Sequence, residues 1–140
     1  MTNRLFDNYK DTLGGQGNHG ATNLVSDTIK ATLIDTAYDD PDTATDEDYA
    51  DIAVGARVST ATLASKTFGT VAAGAWDAEN YVFSSVTGDQ SEEILYWKDS
   101  GGESTSILIC VFDTFTSGMP VTPNGGDINV TIHSSGIFGF

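Results

Sequence analysis

The run Ile107-Leu108-Ile109-Cys110-Val111-Phe112 constrains this chain more than any other stretch. An uninterrupted apolar run of this length, flanked by Ser106 and Asp113, falls well short of a membrane span, which needs about 18 residues. A strand without polar alternation has both faces covered. The run therefore predicts a central strand in a sheet with packed material on each side. Residues 94–98 precede it across Asp99-Ser100-Gly101-Gly102-Glu103-Ser104, which reads as the best hairpin in the chain.

Other segments repeat the β pattern. Residues 28–35 alternate, with Ile29, Ala31 and Leu33 on one face. Residues 57–63 and 65–71 read as weaker strands, and Tyr81, Val82 and Phe83 centre another. Ile128, Val130 and Ile132 alternate with Asn129, Thr131 and His133, and Ile137-Phe138-Gly139-Phe140 reads as a closing strand. Gly, Thr, Ser and Ala are plentiful while Lys, Glu and Leu are scarce, a balance that turn-rich β-proteins tolerate better than helices do. The expected fold is mainly β: an antiparallel β-sandwich or barrel-like domain over residues 21–140, with about eight short strands.

Residues 1–20 read differently, as a helical arm with a glycine-rich linker. Leu5, Phe6, Tyr9 and Leu13 share one face of a short helix, with Asn3 or Thr2 as its N-cap. A helix this short is not stable alone in water, so that face rests either on its own domain or on a neighbour. Gly14-Gly15-Gln16-Gly17-Asn18-His19-Gly20 follows as a flexible tether.

Charge divides the chain in the same way. Residues 1–34 are neutral, and residues 35–140 carry the whole net charge of −14. This balance excludes nucleic acid as the expected partner, because DNA affinity rests on Lys and Arg at phosphates. The N-terminus lacks the apolar stretch of a secretion signal, and no apolar run is long enough for a membrane anchor. Synthesis in a cytoplasm and no membrane partner are the expectations. Cys110 is the single cysteine, in an apolar run that predicts a buried, inert thiol.

Candidate chemistry is sparse. Asp39, Asp40 and Asp42 open an acidic loop that continues through Asp46, Glu47, Asp48 and Asp51. Oxygen ligands at this density make a weak candidate cation loop. It lacks the glycine and distal glutamate of an EF-hand, so a solvated loop is the favoured reading and no metal is expected. His19 sits in the tether. His133 stands beside Ser134 and Ser135, and nothing local holds a base against a nucleophile. Glu92 and Glu93 are strand neighbours that point to opposite faces, so they cannot flank one bond. The glycines at 14–17 lack the lysine and helix of a phosphate loop. No enzyme activity and no cofactor are expected. Trp97, in mid-strand, reads as core. Trp76, in Gly74-Ala75-Trp76-Asp77, reads as a surface aromatic able to meet a glycan.

The order of several segments resembles a family of small tailed-bacteriophage virion proteins. They include residues 28–35, residues 51–58, Trp76-Asp77-Ala78-Glu79-Asn80-Tyr81-Val82-Phe83, Tyr96-Trp97-Lys98-Asp99-Ser100-Gly101-Gly102 and residues 120–127, and the match ends on Gly136-Ile137-Phe138-Gly139-Phe140. The resemblance covers nearly the whole chain. It implies a non-enzymatic structural component on the outer surface of a virion, made in the bacterial host, with a capsid decoration (cement) protein as the preferred role. A neck, tail or baseplate component, or a host-glycan-binding module, is the alternative. The implied partners are the major capsid protein and neighbouring copies, in a homo-oligomer such as a trimer. Leu5, Phe6, Tyr9 and Leu13 are then the expected partner contacts, and the crowded carboxylates predict tighter assembly in mild acid or with divalent cations.

Overall fold

The computed structural model describes residues 3–140. Ten strands are present among them: β1 (Arg4–Leu5), β2 (Ile29–Ile34), β3 (Arg57–Thr62), β4 (Thr67–Phe68), β5 (Ala75–Asp77), β6 (Tyr81–Phe83), β7 (Glu93–Lys98), β8 (Leu108–Phe112), β9 (Ile128–Val130) and β10 (Phe138–Gly139). One α-helix, α1, spans Asp7–Leu13. The main sheet has the order β1-β8-β7-β2-β3, and β10-β5-β4 and β6-β9 form two smaller sheets. Every ladder is antiparallel. The fold is mainly β, as the strand pattern predicts, and no barrel closes.

The hydrophobic run lies where its composition requires. Ile107 to Val111 are all fully buried, and β8 sits inside the main sheet between β1 and β7. Tyr96 and Trp97 show what covers the two faces, since adjacent strand residues point opposite ways. Tyr96 meets Trp76 edge-on at 6.0 Å and Tyr81 at 6.4 Å, so its face packs on the small sheets. Its hydroxyl shares a buried hydrogen bond of 2.8 Å with the Tyr81 hydroxyl. Trp97 stacks on Tyr49 at 3.8 Å, so the other face is covered by the connection that follows β2. There the Trp97 indole N–H donates to Thr32 Oγ1 at 2.9 Å. The same oxygen bonds Tyr49 Oη at 3.2 Å and Thr60 Oγ1 at 2.9 Å. Arg57 lies over the Tyr49 ring at 4.0 Å and donates to the carbonyls of Tyr49 and Ile52.

Three local readings are corrected. The helix begins later than its apolar spacing suggests, because Arg4 and Leu5 pair with Val111 and Cys110 as a strand. Phe6 is the residue before the first helical turn. Asn3 instead accepts the backbone N–H groups of Asp113 and Thr114, and Thr2 lies outside the described residues. Trp76 stands in a strand, β5, between β4 and β10. Two glycines shape that pairing: Gly74 (φ +73°) and Gly136 (φ +94°) hold backbone conformations that favour glycine. A Cβ at Gly136 would come within 2.6 Å of the Trp76 carbonyl oxygen.

Candidate functional site

The arm is part of the domain's own core. Phe6 and Tyr9 are essentially fully buried and belong to the same apolar cluster as Ile109 and Trp97. The Phe6 N–H donates to the Ile109 carbonyl at 3.0 Å and the Asp7 N–H to the Thr43 carbonyl at 2.9 Å. Burial pushes the Tyr9 hydroxyl pKa up to about 12. The four expected contact residues therefore separate. Phe6 and Tyr9 are spent on the chain's own core, Leu5 is half-buried opposite Cys110, and Leu13 alone is well exposed, at 55 %. The tether is also fastened, since His19 Nε2 lies 3.3 Å from Asp48 Oδ2 and the Asn18 N–H donates to Asn8 Oδ1 at 2.8 Å.

Trp76 is not a surface aromatic. It is completely buried, and its indole N–H donates to the Leu24 carbonyl at 3.0 Å. Its alternating partners, Phe138 and Tyr96, enclose the ring.

The acidic loop spends its carboxylates on its own backbone. Asp39 accepts the Ala53 N–H at 2.7 Å, Asp42 the Ala44 N–H, and Asp46 the Asp42 N–H. Asp48 and Asp51 form a capping box around the 3₁₀ turn Tyr49–Asp51. Burial, with Asp51, Asp39 and Asp42 nearby, raises the Asp46 carboxyl above its ordinary value. No group of three or more His, Cys, Asp or Glu among the described residues is arranged to hold a metal ion. His133 Nδ1 accepts the Ser135 N–H within a local turn, and Asp127 accepts the Ser85 N–H across the ends of β9 and β6, so neither is poised as a catalytic partner.

The sequence weighs Glu93 only as half of a pair with Glu92, and its burial is the feature that pattern misses. Glu93, the first residue of β7, is 1 % exposed, and neither carboxylate oxygen has a hydrogen-bond partner. Arg4 Nη2 on β1 lies 3.7 Å from Glu93 Oε1. Burial pushes the Glu93 pKa up to about 7; Asp40, Asp113 and Glu92 add to the rise and Arg4 opposes it. A signal was present, because Glu93 alternates with Leu95 and Trp97 and so had to share their buried face.

One open apolar surface lies at the far end of α1. Leu13, Val25, Phe68 and Phe140 are all more than 40 % exposed and line one groove of about 570 Å³ over Tyr9 and Leu24. Lys98 and Asp27 stand on its rim, paired at 3.1 Å. A cleft of about 580 Å³ opens between the main sheet and β9, floored by Leu33, Ile94 and Tyr96. No helix among the described residues is long and apolar enough to cross a membrane. No protein-family model matches the chain, and no curated protein matches it.

Proposed function

We propose that this chain is a non-enzymatic structural protein of a tailed-bacteriophage virion, and within that class a capsid decoration protein. The ordered resemblance along nearly the whole sequence carries the reading. The groove of Leu13, Val25, Phe68 and Phe140 supports it by supplying a docking surface on an otherwise acidic body. The buried arm moves the proposed contact from Phe6 and Tyr9 to Leu13 and this groove. Copies that each carry −14 repel one another, which favours the shell subunit over a second copy as the surface that fills it. Repetition over a shell then turns modest contacts into strong retention. A neck, tail or baseplate position is the second reading within the same class. With Trp76 buried, no observation favours a glycan-reading module.

Electron cryo-microscopy of the intact particle tests this. Density for the chain in many copies on the icosahedral shell, lost on particles carrying Leu13→Asp and Phe68→Asp, is the expected result. Density only at the neck or tail replaces the role, and absence of the protein from purified particles overturns the class.

A further inference from the structure

We propose that Glu93 and Arg4 form a proton-controlled latch on the first strand: with Glu93 neutral, β1 stays on the edge of β8, and with Glu93 ionised, β1 lifts so that the carboxylate reaches water. The geometry points to this from several sides. Arg4 pairs with Val111, and Val111 with Leu95, so all three stand in one row across the sheet. Glu93 is two residues from Leu95 and therefore lies on the same face, one step along the strand. The Arg4 side chain thus crosses over Glu93, and β1 helps to exclude water from it.

The contact satisfies neither partner. At 3.7 Å it is an ion pair without a hydrogen bond, and Arg4 Nε and Nη2, like both Glu93 oxygens, are buried without hydrogen-bond partners. The facing charges are unfavourable to an ionised Glu93. Asp113 follows β8, Glu92 precedes β7, and Asp40, exposed on the connection after β2, adds its charge, against the cation Arg4. Glu92 is itself held by the Thr36 N–H and hydroxyl, and Asp113 Oδ2 is buried and unpartnered. A buried carboxylate in this setting is costly when charged and is relieved either by taking up a proton or by reaching water. The element best able to admit water is β1, a ladder of two residue pairs at the end of the sheet. Its departure also frees the backbone edge of Ile109 to Val111.

Linkage gives the sign. The latched form holds the Glu93 proton up to about pH 7, and the open form releases it near the ordinary 4.5. Opening therefore grows as pH rises between these values and levels off above them.

Hydrogen exchange on the full chain, corrected for intrinsic chemistry, measures it at the Arg4 to Phe6 amides, with β2 amides reporting global unfolding. Between pH ~5 and ~7 the β1 opening constant is expected to rise about tenfold or more while β2 opens far less often. Glu93→Gln flattens the rise, and Asp40→Asn shrinks it. A β1 opening constant that is flat or falls with pH overturns the latch. So does a rise that persists in Glu93→Gln, or β1 amides that exchange only together with β2.

Discussion

Replacing Thr32 by Val tests whether the polar knot under Tyr49 holds the covered face of the sheet. The exchange keeps the shape of the side chain and removes one hydroxyl that is fully buried. That hydroxyl is saturated, because it accepts from the Trp97 indole and exchanges its remaining bonds with Tyr49 and Thr60. Indole N–H can only donate, and Trp97 is 6 % exposed, so its donor is orphaned at a cost of about 1–3 kcal/mol. The Tyr49 hydroxyl adds about 1 kcal/mol, and Thr60, which is exposed, turns to water at little cost. The expected loss is about 2–4 kcal/mol, a large part of the roughly 5–15 kcal/mol that holds a domain together. Urea titration followed by far-ultraviolet circular dichroism measures it, with Thr60→Val as the control at under about 1 kcal/mol. A Thr32→Val protein within about 0.5 kcal/mol of the parent would refute the assignment, as would a control that costs as much.

Three further outcomes follow from the same contacts. Arg57→Lys keeps the charge but cannot span the Tyr49 and Ile52 carbonyls together with Glu103, and about 1–3 kcal/mol of stability should be lost in the same titration. Asp51→Ala removes the side chain that accepts the Glu47 and Asp48 N–H groups, for a loss of about 1 kcal/mol and faster exchange across residues 46–52. The Glu93 pKa is raised by folding, so stability should fall as pH rises from 4.5 to about 7, by at most about 3 kcal/mol, and then level off. Asp27 and Asp99, whose pKa values folding lowers, act in the opposite sense only in stronger acid. Melting temperatures across this range should show the fall in the parent, and Glu93→Gln should remove most of it, leaving only the part due to Asp46, whose carboxyl folding also raises.

The parts of the fold that were legible are those set by local chemistry. The β8 run, the strand at β2 and the turn at 99–106 each follow from short-range pattern and survive in three dimensions, although β2 is buried on both faces, with Thr32 and Ile34 as covered as Ile29, Ala31 and Leu33. Trp76 was misread because the glycine beside it looks like loop composition, whereas Gly74 and Gly136 in fact let β5 and β10 approach. The arm was misread at its start because Leu5 fits a helical face. Pairing with Cys110 outweighs one more helical residue, since a short helix gains little from each turn. Nothing in the spacing of Phe6 and Tyr9 says whose core they enter. The surroundings of the candidate residues depend on these long-range choices, so most of the proposed contact surface was out of reach of pattern reading.

The acidity of this chain takes on a second meaning once its carboxylates are located. Asp27, Asp35, Asp39, Asp42, Asp46, Asp48, Asp51, Asp99, Asp127 and Glu92 each accept at least one backbone N–H. Short strands leave long connections, and buried or turning backbone must find partners outside the ladders. Side-chain carboxylates supply them, as Asx turns and caps do elsewhere. The charge is therefore partly a by-product of closing a loop-rich β-domain. Oxygens engaged in this way are poor ligands in waiting, because a cation would have to displace backbone donors. Glu93 is the exception among the described residues, a buried carboxylate with neither oxygen hydrogen-bonded, and Asp113 Oδ2 nearby is left unpartnered as well.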